Sequence, residues 1–154
     1  MVRSQWQNME FLWQYVPDCV GILRGDADRG REICGLGADV RLLFAVAAVR
    51  EEKKSVLYIV DDEDQAKKTR RMLRHFLSSS EAGFYPAADR LVSESVSVNE
   101  AQNVERAHVL DNLLNGGPFV AVISKDTLNR RLLPPEIRRA STMHFQVGDV
   151  IDIS

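Results

Sequence analysis

Two uninterrupted apolar runs, Val56-Leu57-Tyr58-Ile59-Val60 and Phe119-Val120-Ala121-Val122-Ile123, stand out along the chain. Runs of that length without a polar position read as strands of a parallel sheet, covered on both faces. Between them the pattern changes period. Asp62 followed by Gln65 makes a capping-type helix start, and Ala66, Thr69, Leu73 and Phe76 fall on one face at helical spacing. Gly83-Phe84-Tyr85 predicts a brief strand closed by Pro86, and residues 87–98 a loop. A second helix follows, with Ser97 and Glu100 or Asn99 and Gln102 as its caps and Val104, Ala107, Leu110 and Leu114 as its inner face. Asn115-Gly116-Gly117-Pro118 stops it.

The flanks extend this alternation. Residues 5–15 predict a short helix, and Pro17 suits the first turn of another, where a missing N–H costs nothing. Residues 31–36 read as a short strand leading into Gly35-Leu36-Gly37. Val40, Leu42, Leu43, Phe44, Val46, Ala47 and Val49 then make a helix apolar nearly all round, hence one buried on most sides. After the second apolar run come a short helix over 126–133 and another from Pro134-Pro135 through Arg139. Met143, Phe145 and Val147 alternate with His144 and Gln146, as in a strand with one dry face. The expected fold class is therefore α/β: a mostly parallel sheet flanked by helices on both faces, with right-handed crossovers. Residues 1–140 are expected to form one module. Residues 141–154 are expected to begin a following lobe, cut short at Ser154.

Composition narrows the function classes. A chain of 154 residues with 45% apolar positions is an ordinary globular domain. A net charge of −2 argues against a large nucleic-acid footprint. Cys19 and Cys34 lack metal-ligand spacing and read as two reduced, buried thiols of a cytoplasmic protein. His75, His108 and His144 sit on separate elements and form no ligand set. No signal peptide or membrane span is recognisable, and a monomer is expected.

Two stretches could carry chemistry. The segment Gly35-Leu36-Gly37-Ala38-Asp39-Val40-Arg41 lies where a phosphate loop belongs. A working loop reads G-x-x-x-x-G-K-[ST], so that amides curl around phosphate, Lys reaches the outer phosphates and a hydroxyl holds magnesium. Here Gly35 fits, but Val40 occupies the second glycine position, Arg41 stands for Lys and Leu42 replaces the hydroxyl. Asp39 adds negative charge. The loop reads as P-loop-NTPase-like (RecA-like) in ancestry and degenerate in chemistry. Asp61-Asp62-Glu63, at the end of the first apolar run, could be a magnesium-holding strand end or simply a helix start in the favourable field of the helix dipole. The same stretch is similar to the opening of a phosphorelay receiver, but residues 103–108, where the phosphoacceptor should fall, are helical in pattern and hold no Asp. The basic pairs Lys67-Lys68, Arg70-Arg71 and Arg130-Arg131 read as solvated, whereas Arg138-Arg139, near the boundary to the next lobe, are a candidate interface.

Taken in order, these features resemble the N-terminal module shared by transcription-repair coupling factors (the Mfd family) and the excision-repair helicase UvrB. The resemblance runs through the degenerate loop, Phe84-Tyr85-Pro86, Arg106, Leu110, residues 120–124, Leu128, Pro134-Pro135-Glu136, Gly148-Asp149 and Asp152. UvrB keeps an intact phosphate loop and a Tyr-rich hairpin that clamps DNA. This chain has neither the loop motif nor an aromatic residue between Pro86 and Asn99, which favours the coupling factor over a UvrB-type ATP-dependent helicase. The resemblance implies a non-catalytic module with no cofactor of its own. ATP, magnesium and DNA would be handled by separate motor domains, and RNA polymerase and UvrA would be partners of the full-length protein.

Overall fold

A computed structural model describes residues 14–23, 32–87, 100–143 and 148. The described elements run α1 (Val16–Leu23), α2 (Ala38–Arg50), β1 (Val56–Val60), α3 (Glu63–Leu73), β2 (Ala82–Tyr85), α4 (Glu100–Leu114), β3 (Val120–Ser124), α5 (Lys125–Leu128) and α6 (Pro135–Ala140). The three strands form one parallel sheet in the order β1-β3-β2. Val122 sits opposite Tyr58 on one side and Phe84 on the other. The chain steps from β1 over β3 to β2 through α3, then back to β3 through α4. Both direction and face change between these two connections, as a constant crossover hand requires.

The two faces are unequal. Val56, Tyr58 and Val60 of β1, Val120 and Val122 of β3, and Ala82 and Phe84 of β2 pack with α1, α2 and α3 in the larger core. The opposite face holds Tyr85, Phe119, Ala121 and Ile123 under Val109 and Leu110 of α4. Gly83 is what lets α4 settle there. A Cβ at that position would stand 2.8 Å from Val109 Cγ2 and 3.0 Å from Phe119 Cζ. In α2, Ala45, Ala47 and Ala48 are buried alongside Leu42, Leu43, Val46 and Val49, as an all-round apolar helix requires. Arg50, at its C-terminal end, donates to Phe76 O at 2.8 Å and pairs with Glu81 at 3.2 Å. The Ser78 N–H also bonds Glu81, and with Arg50 it holds that carboxyl below the usual carboxylate range.

Several local expectations hold. Pro17 lies in the first turn of α1, and Asp62 Oδ1 accepts from the Gln65 N–H at 2.8 Å. α4 ends before Gly116, whose φ of 71° is a left-handed turn suited to glycine. β3 is buried along its whole length.

Others are corrected. β1 is not covered on both faces: it is an edge strand, and Leu57 and Ile59 are 54% and 42% exposed because α4 covers only β2 and β3. Residues 32–37 form no strand, so no strand among the described residues leads into the loop. The inner face of α4 is centred on Val109, while Val104 is 67% exposed. Its apolar positions serve two surfaces, which blurs a single-face reading. The helix expected over 126–133 stops at Leu128, with Asn129 as its C-cap outside helical geometry. Cys19 is buried, but Cys34 is exposed. The helix over 5–15, the loop over 87–98 with its capping residues, and the strand through Phe145 and Val147 lie wholly or mostly outside the described residues.

Candidate functional site

The segment over residues 35–41 sits at the carboxyl edge of the sheet because of a simple reversal. α2 runs away from that edge, the chain turns through residues 51–55, and β1 returns to it. Asp39 and Arg41 in the first turn of α2 therefore lie near the end of β1. Ligands of open α/β folds generally bind at this edge.

Its local geometry follows from its residues. Gly35 has φ of 75°, a left-handed conformation that glycine adopts without strain. Gly37 is the N-cap of α2 in extended conformation, with no side chain to bond the free amides of the first turn, and its carbonyl accepts from the Arg41 N–H at 3.0 Å. Gly35, Gly37, Ala38, Asp39, Val40 and Arg41 are exposed and Leu36 is partly so. Leu42, at the position a magnesium-binding hydroxyl would need, is only 2% exposed and belongs to the larger core. Replacing it with Ser or Thr would remove a core contact as well as add a hydroxyl.

The neighbouring charges are already matched. Asp61, just past β1, pairs with Lys125 at the start of α5. The hydrogen bond from Lys125, its charge and the more distant Arg41 together hold the Asp61 carboxyl below its ordinary range. Burial pushes the Tyr58 phenol up, while Arg41 opposes that rise and Asp39 adds to it. Asp62 is occupied as the cap of α3, and Glu63 pairs with Lys67 at 2.9 Å. The three acids expected at this strand end thus point to three separate partners. Ser124 and Thr127 hydrogen bond to each other at 2.9 Å in a buried position. The sheet order also departs from that of a receiver, in which the first strand lies between the second and third; here β3 is central.

The candidate interface residues lie elsewhere. Arg138 docks α6 on α4 through Asp111 Oδ1, at 2.7 Å from Nη2 and 3.2 Å from Nε, and donates to Ala107 O at 3.2 Å. Arg139 is exposed. Of the basic pairs expected to be solvated, Arg70 is partly buried and bonds Glu105, linking α3 to α4. Arg106 lies over the Tyr85 ring at 5.3 Å, a cation–π arrangement. These contacts join residues 21–35 positions apart, and no local spacing could have announced them. Among the described residues, no group of three or more His, Cys, Asp or Glu side chains is placed to hold a metal ion, and no helix is long and apolar enough to cross a membrane.

No family model matches the chain. No solved structure matches it either. Among curated proteins it is similar to the transcription-repair-coupling factor of Bacillus subtilis (strain 168), 28% identical over 120 residues, a stretch that covers 78% of this chain and 10% of that protein. The matched stretch is thus about a tenth of that relative's length.

Proposed function

We propose that the chain is a protein-interaction and regulatory module of a transcription-repair coupling factor, without nucleotide chemistry of its own. The similarity to the Bacillus subtilis coupling factor supports the assignment to DNA repair. The observation that carries the non-catalytic reading is Leu42. The residue that should offer a hydroxyl to magnesium is instead a buried core side chain, one turn into α2. Arg41 beside it has a planar, bulky head that replaces Lys poorly as a point charge on phosphate. In a full-length coupling factor, separate motor domains would bind ATP, magnesium and DNA, and RNA polymerase and UvrA would be the protein partners. The module would work in the cytoplasm beside them.

Isothermal titration of the chain with ATP and magnesium is expected to give no heat of binding and no phosphate release, and Arg41→Ala is expected to leave that result unchanged. Micromolar binding with turnover, lost in Arg41→Ala, would overturn the proposal in favour of a UvrB-type enzyme.

A further inference from the structure

A flank of α4, beside Tyr85 at the β2 edge, forms one wall of a groove, and the segment that leads into α6 forms the other. The groove has a volume of about 620 Å³. Leu110, Leu113, Leu132 and Leu133 line it, and Leu133 is 65% exposed. With Leu114, five leucines share this one trough and make its floor and walls largely apolar. Such a wide trough would leave a small ligand largely wet, whereas pockets for small molecules enclose most of the ligand's surface. A segment of polypeptide fits it better. α4 has 15 residues, so a helix of similar length, about 22 Å, could lie along it.

Charge selects the kind of segment. Arg106, Arg131 and Arg138 line the groove, and among the described residues no carboxylate does. Arg138 is committed to Asp111. Among the described residues, Arg106 bonds only the Tyr85 hydroxyl and ring, and Arg131 has no ion-pair partner. Two guanidinium groups thus flank an apolar floor without carboxylate partners among the described residues. A single nucleic-acid strand is the poorer match, because such strands are held largely by stacking on accessible aromatic rings. The ring in this groove, Tyr85, is buried beneath Arg106.

We propose that this groove binds an acidic amphipathic helix of a partner protein, with leucine-type side chains on the floor and carboxylates on Arg106 and Arg131. Helix-in-groove recognition of this kind places apolar anchors at i, i+3 or i+4, and i+7. The proposal rests on the protein-interaction reading above and names the surface that would serve it.

The test uses the full 154-residue chain and a fluorescein-labelled synthetic helix of about 18 residues, with Leu at i, i+4 and i+7 and Glu at the flanking positions. Its controls are the same peptide with Lys for Glu and a single-stranded oligothymidylate. Fluorescence anisotropy should show saturable binding of the Glu peptide and at least about tenfold weaker binding of both controls. Arg131→Glu and Leu133→Asp, both at exposed positions, should each weaken the Glu peptide by about tenfold while leaving the thermal unfolding curve in place. The proposal fails if the Glu peptide does not bind, if the Lys peptide binds equally well, if both variants bind like the parent, or if the oligothymidylate binds more tightly. A failure here leaves the module reading standing. ATP turnover, measured on the same protein, would sink that reading without touching the groove result.

Discussion

The two edges of the sheet differ in a way their sequences do not suggest. β1 reads VLYIV, with an apolar residue at every position, and β2 reads AGFY. Yet every residue of β2 is buried, while β1 alternates between partly buried and exposed. The difference lies in what surrounds each strand. α3 packs on one face of β2 and α4 on the other, and Arg70 and Glu105 join the two helices next to Phe84, so they bracket that edge. Among the described residues, β1 has helices on one face only, and Leu57 and Ile59 look outward on the other. Burial of a strand is thus set by where the following helices land, with the strand's own apolar content a weaker influence.

The largest test of this contrast sets Phe119 against Leu57. Phe119 leads into β3, is buried beneath α4, and meets His108 edge-on with ring centroids 6.1 Å apart. Phe119→Ala should cost about 3–5 kcal/mol in urea unfolding, the usual range for emptying such a site. Leu57→Ala should stay within about 0.5 kcal/mol of the parent, as exposed substitutions do. Equal losses would erase the distinction between the covered and open parts of this face.

A smaller effect sharpens the same picture from the other direction. Gly83→Ala adds one methyl group where Val109 and Phe119 already stand within 3.0 Å of the new atom. Neither neighbour is the free end of a flexible chain, so α4 must shift off the sheet. The expected loss is about 1–3 kcal/mol, the range for overpacking. A stability equal to or above that of the parent, read by thermal denaturation, would mean that α4 is not seated as tightly as the close approach implies.

These contrasts also mark where reading the sequence succeeds. Local signals carried well: the Asp62–Gln65 cap, the stop at Gly116, the all-round apolar α2 and the doubly buried β3 each depend on a few neighbouring residues. Three kinds of feature did not carry. β1 and β3 have the same apolar pattern, and only sheet order, a property of the whole chain, separates edge from centre. α4 divides its apolar positions between the sheet and the groove, so one helical face could not account for them. The residues before Gly35 have strand-like composition, yet residues 32–34 are exposed and without ladder partners among the described residues. Over residues 35–42, the motif comparison identified the missing hydroxyl and the apolar pattern placed Leu42 in a buried helix, and the fold puts it in the larger core.

The smallest expected effect is the most specific to the open edge. A sheet edge carrying apolar side chains invites pairing with another chain, and lysine is a common residue that blunts such edges. Leu57→Lys places an ammonium on the outward face of β1, where its stem can lie along the strand and its head can reach water. Because Leu57 is more than half exposed, unfolding should stay within about 0.5 kcal/mol of the parent. Light scattering at high protein concentration should meanwhile show less self-association. The same change at Ala121, buried in β3 on the same face, should prevent folding, since it would bury a charge with no partner. A loss above about 1 kcal/mol for Leu57→Lys lies outside the range of surface substitutions. It would show that the outer face of β1 is packed within this chain, and the two edges would then be alike in burial after all.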